Sequence, residues 1–431
     1  MSDIDRRYNA WIPSESTRQI LVAKVMSPNS VTLDRSQLTM PGVVVEDSQG
    51  DPIKELVYKF MGEQESNKRQ MLTADNVSQN EEGLQQLIAG GCYRSAVDLT
   101  ARLLDRYNQG NGAVGQQSLN TPLTLQIWFT RVALMMKLRL FSTVEVEIEA
   151  FGNLDKPDLF YEFYTEMYPG KRGSMVPFSF RMLHAELPQY NGRPQDTIDR
   201  LYYLHAITSK IISNLESGLA EDGSGIEISE ENRKASVQLW KSRLIRILYS
   251  IGNCLAMMKD YNQASMVYRD LLDKDTANVT SILSSIGRIH LQLGDLRSAE
   301  KCFDEVEKHI TSDKDKSQIY MNKAFYWLAQ SNYAEAHSNF VEVLKIDPDN
   351  ALAINNMSVC LLYVGKLKEA LKTLENLVHK DPKYLQEGVL FNLCTVYELE
   401  SSRSMHKKQV LLDLVNKHRG DGFNVQSLKM I

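Results

Sequence analysis

A turn-and-helix pattern returns four times in the second half of this chain, at nearly constant spacing. Lys259-Asp-Tyr-Asn-Gln-Ala264, Gly294-Asp-Leu-Arg-Ser-Ala299, Ser331-Asn-Tyr-Ala-Glu-Ala336 and Gly365-Lys-Leu-Lys-Glu-Ala370 align, with their alanines 35, 37 and 34 residues apart. Four residues after each alanine stands a bulky side chain, Tyr268, Phe303, Phe340 or Leu374; twelve before it stands a small one, Gly252, Gly287, Ala324 or Ser358. A period of this length calls for similar units stacked in sequence order, because no single unit can bury its own apolar face.

The small and bulky positions fit a packing rule. A small residue on a first helix admits a second helix closely, the alanine receives it, and the bulky residue fills the space beside it. A spacing of about 34 residues with this pattern is that of tetratricopeptide repeats. The fold class is therefore all-α, a right-handed tetratricopeptide α-solenoid of helical hairpins with an extended N-terminal arm. The regular units read 245–278, 280–313, 317–350 and 351–384. Asp347-Pro348 and Asp381-Pro382 close two of them, since proline cannot continue a helix but suits the start of the next. Thr311-Ser-Asp-Lys-Asp-Lys is expected as a longer polar loop.

Upstream the repeats degenerate. Gly91-Cys-Tyr-Arg-Ser-Ala96 echoes the turn, giving a unit over 77–108. Pro122–Lys137 with Ser142–Phe151, and Val176–Tyr190 with Thr197–Leu215, are candidate hairpins, with Arg139 standing where the first of these pairs would carry a glycine. Ser229 is a helix start whose hydroxyl can satisfy free amides. The domain reading is an arm over 1–75 with a short helix near 52–64, degenerate hairpins over 76–228, the regular array over 229–384, and a capping hairpin and tail over 385–431. Trp11 and Tyr8 are candidate anchors of the arm.

Charge and cysteine content narrow the function. The formal charge is −5, with no block of like charges, which argues against a nucleic-acid partner. No apolar run reaches membrane-spanning length and the charged start does not read as a signal peptide, so a cytoplasmic protein without direct membrane insertion is expected. Cys92, Cys254, Cys302, Cys360 and Cys394 are widely spaced without C-x-x-C. They read as reduced, buried thiols, with neither disulfide nor zinc site.

No catalytic motif is present. Gly170-Lys171 and Gly365-Lys366 lack the rest of a phosphate-binding loop, and H-E-x-x-H is absent. The expectation is a non-enzyme with no metal and no cofactor, acting through a groove lined by the first helices of the units. From the outward positions of those helices, the candidate groove residues are Arg246, Tyr249, Asn253, Arg288, Met321, Phe325, Leu328, Leu352, Val359 and Leu362. The groove turns from polar to apolar along the chain, and its apolar part suits a partner helix or the chain's own terminal segment. Short tetratricopeptide domains are best known for holding acidic chaperone tails with Lys, Asn, Asn, Lys and Arg at set positions. Those slots hold Ser284, Arg288, Asn322, Leu352 and Asn356 here, and shifting the frame by one unit does no better, so a chaperone or cargo-receptor adaptor is the weaker alternative.

Segments outside the repeats carry a more specific signal. WIPSESTRQIL from Trp11, MPGVVVED from Met40, FMGEQE from Phe60, GCYRSAVDLTARLL from Gly91, YPGKRGSMVPF from Tyr168 and YELESSRSM from Tyr397 resemble the subunit 12 family of the trafficking protein particle (TRAPP) complex. That resemblance implies a peripheral scaffold subunit of an assembly that tethers vesicles and exchanges nucleotide on a Rab GTPase, in ER-to-Golgi transport and autophagy. Contact with the Rab would be indirect, because exchange belongs to the small core subunits. The implied partners are other TRAPP subunits, with the large arm subunits 11, 8 and 13 as neighbours. Larger family members carry a long polar extension before the region of Trp11, and nothing residing in it is carried over.

Overall fold

A computed structural model describes residues 7–27, 33–45, 50–310, 312, 315–400 and 403–430, and among these the regular structure is helical apart from two isolated β-bridges. Of the polar loop expected at 311–316, residues 311, 313 and 314 lie outside them, and Lys316 already begins a helix. Two compact units emerge, one from residues 1–50 with 72–258, the other from 51–71 with 259–431.

The first unit holds three hairpins: Glu81–Ala89 with Tyr93–Asp105, Pro122–Lys137 with Phe141–Ile148, and Phe178–Tyr190 with Pro194–Glu216. They match the degenerate pairs read from the sequence to within a few residues. Each turn places one residue in the left-handed region, Gly91 at φ 70°, Arg139 at 62° and Gly192 at 79°. The amide after it reaches back five residues, Cys92 to Leu87, Leu140 to Met135 and Arg193 to Pro188, each at 2.9 Å. This is the helix-terminating bond that satisfies free carbonyls, and Arg139 adopts it without being glycine. Trp128, Phe151 and Phe180 form the aromatic core, edge to face at 5.5 and 5.7 Å.

The long helix Glu230–Met257 belongs to the first unit, capped by Ser229 as read from the sequence. Its buried Trp240, Ile247 and Ile251 hold it there, packed with the helices of 178–216. Residue 229 therefore starts a helix but not a compact unit; the division falls between Met258 and Lys259, inside the first regular repeat.

The first 75 residues contribute to both units. In the first unit Trp11 is buried under the Arg181 guanidinium, 4.0 Å from its ring, whereas Tyr8 is largely exposed. The Ser174 amide donates to Asn9 O at 2.7 Å, close beside Gly173, where any Cβ would strike that carbonyl. Thr39 donates twice to Asp158 Oδ2, at 2.9 and 2.6 Å. The amides of Val44 and Val45 both reach Glu147 Oε1, at 3.2 and 3.3 Å. Glu147 is itself buried in a two-pronged pair with Arg131, both contacts at 2.7 Å.

In the second unit the hairpins Val279–Gln292/Leu296–His309, Lys316–Ala329/Tyr333–Ile346 and Ala351–Tyr363/Leu367–Lys380 follow one another, and Glu387–Glu400 with Ser404–His418 ends the series. Gly294, Ser331 and Gly365 take the left-handed turn position. The helix expected near 52–64 is Pro52–Met61, followed by Glu63–Asn67. Its Ile53, Leu56 and Val57 are buried in one cluster with Leu390, Leu411, Leu412 and Val415 of the final hairpin. Arg69 fixes the segment further, donating to the Asn416 and Arg419 carbonyls at the end of the last helix and pairing with Asp51. The chain thus covers its own terminal hairpin, which a repeat stack must otherwise close with polar residues. All five cysteine thiols are buried.

Candidate protein-interaction face

The ten groove positions divide between the units. Arg246, Tyr249 and Asn253 lie on the long helix of the first; the other seven lie on the first helices of three successive hairpins in the second. Arg246 is exposed and donates to Ser179 Oγ at 3.3 Å.

In the second unit the face is built from contacts between successive hairpins. The Arg288 guanidinium sits over the Phe325 ring at 5.5 Å, and Phe325 meets Phe340 edge-on at 6.1 Å. Burial lowers the Arg288 pKa from its usual value, and the negative ring face offers partial compensation. Met321, Phe325 and Leu328 pack partly buried against the cluster of Ala324, Ala336, Phe340 and Val343. Val359 and Leu362 are also half-buried, whereas Leu352 is 55% exposed. The apolar stripe is therefore half-buried against neighbouring side chains of the hairpins, and Leu352 is its open point.

Polar rungs cross the same face. Gln318 and Asn322 both donate to Ser284 Oγ, at 2.9 and 2.8 Å, and Asn392 donates to Asn355 Oδ1 at 3.0 Å. Ser284, an outward position in an ideal repeat register, is fully buried under the next hairpin, and Asn322 is buried with it. Two of the five clamp slots for an acidic tail are thus occupied by each other. Beyond Leu352 the half-exposed ring of Phe391 lies 5.2 Å below the Lys429 ammonium, which also pairs with Glu398. Sequence reasoning named neither Phe391 nor Asn392; the offset of 37 from Asn355 to Asn392, that of the longer repeat, was the available signal. What this face offers is a protein surface: exposed apolar side chains, aromatic edges and fixed amides, with charge at its margins.

Tetratricopeptide repeat family models match residues 280–308 and 328–387. Over 436 aligned residues the chain is 52% identical to "Trafficking protein particle complex subunit 12" of Mus musculus, covering 100% of this chain and 55% of that protein. The protein of the same name from Homo sapiens is 51% identical over 436 residues, covering 100% of this chain and 59% of its own length. A tetratricopeptide repeat protein from Parabacteroides merdae superposes over 71% of this chain and 96% of its own, with a TM-score of 0.37 and 12% identity. The chain spans a little over half the length of the subunit 12 proteins it matches. Along its whole length the chain is similar to trafficking protein particle complex subunit 12, and its helical hairpins include two stretches that match tetratricopeptide repeat models.

Proposed function

We propose that the chain is a non-catalytic scaffold subunit of the TRAPP vesicle-tethering and Rab nucleotide-exchange complex, acting in ER-to-Golgi transport and autophagy by binding other subunits through its helical repeats. The observation that carries this reading is the identity of about half of all positions over the whole chain, including segments no repeat period requires. Large arm subunits 11, 8 and 13 are its proposed neighbours, and it would sit in the cytoplasm, at ER-Golgi membranes only through the complex. No helix among the described residues is long and apolar enough to cross a membrane.

The inner face of the second unit is the proposed contact. Leu352 and the surroundings of Phe391 are its open apolar points, and an exposed apolar position gains most from a partner's cover. The rival reading, a free-standing adaptor for an acidic chaperone tail, has less support because Ser284 and Asn322 bond to each other in two of the slots it needs.

Affinity purification of the tagged chain from cells under gentle salt, with mass spectrometry, tests the proposal. Stoichiometric TRAPP subunits support it. Chaperones in their place, or a monodisperse chain with no TRAPP subunit, overturn it.

A further inference from the structure

The first unit carries a cleft of about 510 Å³ lined by Tyr8, Tyr161, the Met175–Ser179 segment, Arg243 and Arg246, of which the repeat reading named only Arg246 as a groove position. Two features set it apart. The Arg243 guanidinium lies against two aromatic rings, 4.3 Å from the Trp240 centroid and 4.9 Å from that of Phe178. One turn along the same helix face stands Arg246, whose contact is the Ser179 hydroxyl. Among the described residues, neither arginine forms an ion pair with a carboxylate, in a chain whose overall charge is negative.

The groups around them leave the positive charge standing. Arg243 lies near enough to Arg181 to disfavour its charge, and the carboxylate beside Arg181 is Asp155, which already accepts the Ser14 amide at 3.0 Å. Tyr8 is the ionisable group that favours the charge on Arg243. Burial nevertheless pulls the Arg243 pKa down to about 10, the condition an incoming anion would relieve. The first turn of Phe178–Tyr190, with no side-chain cap, opens on the same cleft and adds to its positive potential.

We propose that this cleft binds an acidic segment of a protein partner, its carboxylates received by Arg243 and Arg246 and its apolar side chains by the Tyr161, Met175 and Phe178 wall. A guanidinium held flat by stacking keeps its donor fork fixed, so it loses little freedom on meeting a carboxylate. The apolar wall favours a peptide over a free anion, because an anion alone leaves that wall wet. The site lies within the first unit and does not depend on which assembly the chain joins.

Fluorescence anisotropy on the full chain tests it, with a short labelled peptide of alternating glutamate and leucine and its glutamine-for-glutamate counterpart. The glutamate peptide binds and weakens as salt rises; its glutamine counterpart, R243Q and the exposed-site variant R246Q each weaken binding by about tenfold or more. R243K, which keeps the charge but not the fork, falls between. Circular dichroism reports folding, and R246Q carries the test should R243Q unfold. Equal binding by the two peptides, unchanged affinity in R246Q, or occupancy by inorganic phosphate with no binding of the glutamate peptide would each overturn the proposal.

Discussion

The ring of Phe303 fills the space that a Cβ on Gly287 would need, with its Cε1 2.3 Å from where that carbon would lie. The small residue of the first helix and the bulky residue of the second are thus partners within one hairpin, and their spacing in the sequence records this contact. Gly287→Ala should force the ring out of place and cost about 1–3 kcal/mol, read as a lower denaturation midpoint at unchanged slope. Adding Phe303→Leu should recover part of the loss, since the two substitutions act on one contact.

Ser331 holds a left-handed turn position at φ 58° that Gly294 and Gly365 hold in the neighbouring hairpins. Ser331→Gly removes the side-chain strain at that φ and should stabilise the chain by up to about 1 kcal/mol, while Gly365→Ala should destabilise it by a similar amount. Thermal unfolding of the two variants should move in opposite directions.

Glu147 joins two parts of the first unit: the buried Arg131 on its own hairpin, and the amides of Val44 and Val45 from the N-terminal segment. Arg131 continues to the Val97 carbonyl at 2.9 Å. Glu147→Ala leaves a buried guanidinium without its carboxylate and two amides without their acceptor, and should cost about 3–5 kcal/mol. Hydrogen exchange should show protection lost around residues 39–45 before it is lost from the hairpins.

His184 is buried, and burial, with Arg200 second, holds its pKa near 3 against an ordinary 6.5. Below pH 6.5 the unfolded chain takes up a proton that the folded chain refuses, so stability falls as the pH drops from 6.5 toward 3, by at most about 1.4 kcal/mol per unit. Asp158 and Glu162, whose carboxyls burial raises, act in the opposite sense, but they are common to the wild type and a His184→Gln variant. Urea unfolding at pH 7 and pH 5 should therefore show a smaller loss in the variant; parallel profiles would contradict this account of His184.

The sequence displayed what depends on neighbours along the chain. Alanine, small and bulky residues within one hairpin carry their spacing openly, and so the hairpins from Val279 to Lys380 lay where the period placed them. The burial of Ser284 was not legible, because it depends on how Gln318 and Asn322 of the next hairpin cross over it. Nor was the role of Glu147, whose bonds to Val44 and Val45 join residues more than a hundred positions apart. Arg243 shows no periodic signal, and its aromatic neighbour Phe178 arrives from another hairpin.

The proposal to be tested is that this stack of hairpins holds TRAPP subunits on the inner face of its second unit. Recovery of those subunits with the tagged chain and with Leu352→Glu tests it most directly, because Leu352 is exposed and its replacement leaves the core intact. Stoichiometric recovery with the wild type and a loss of about tenfold in the variant is the expected result. Equal recovery from both would contradict the account.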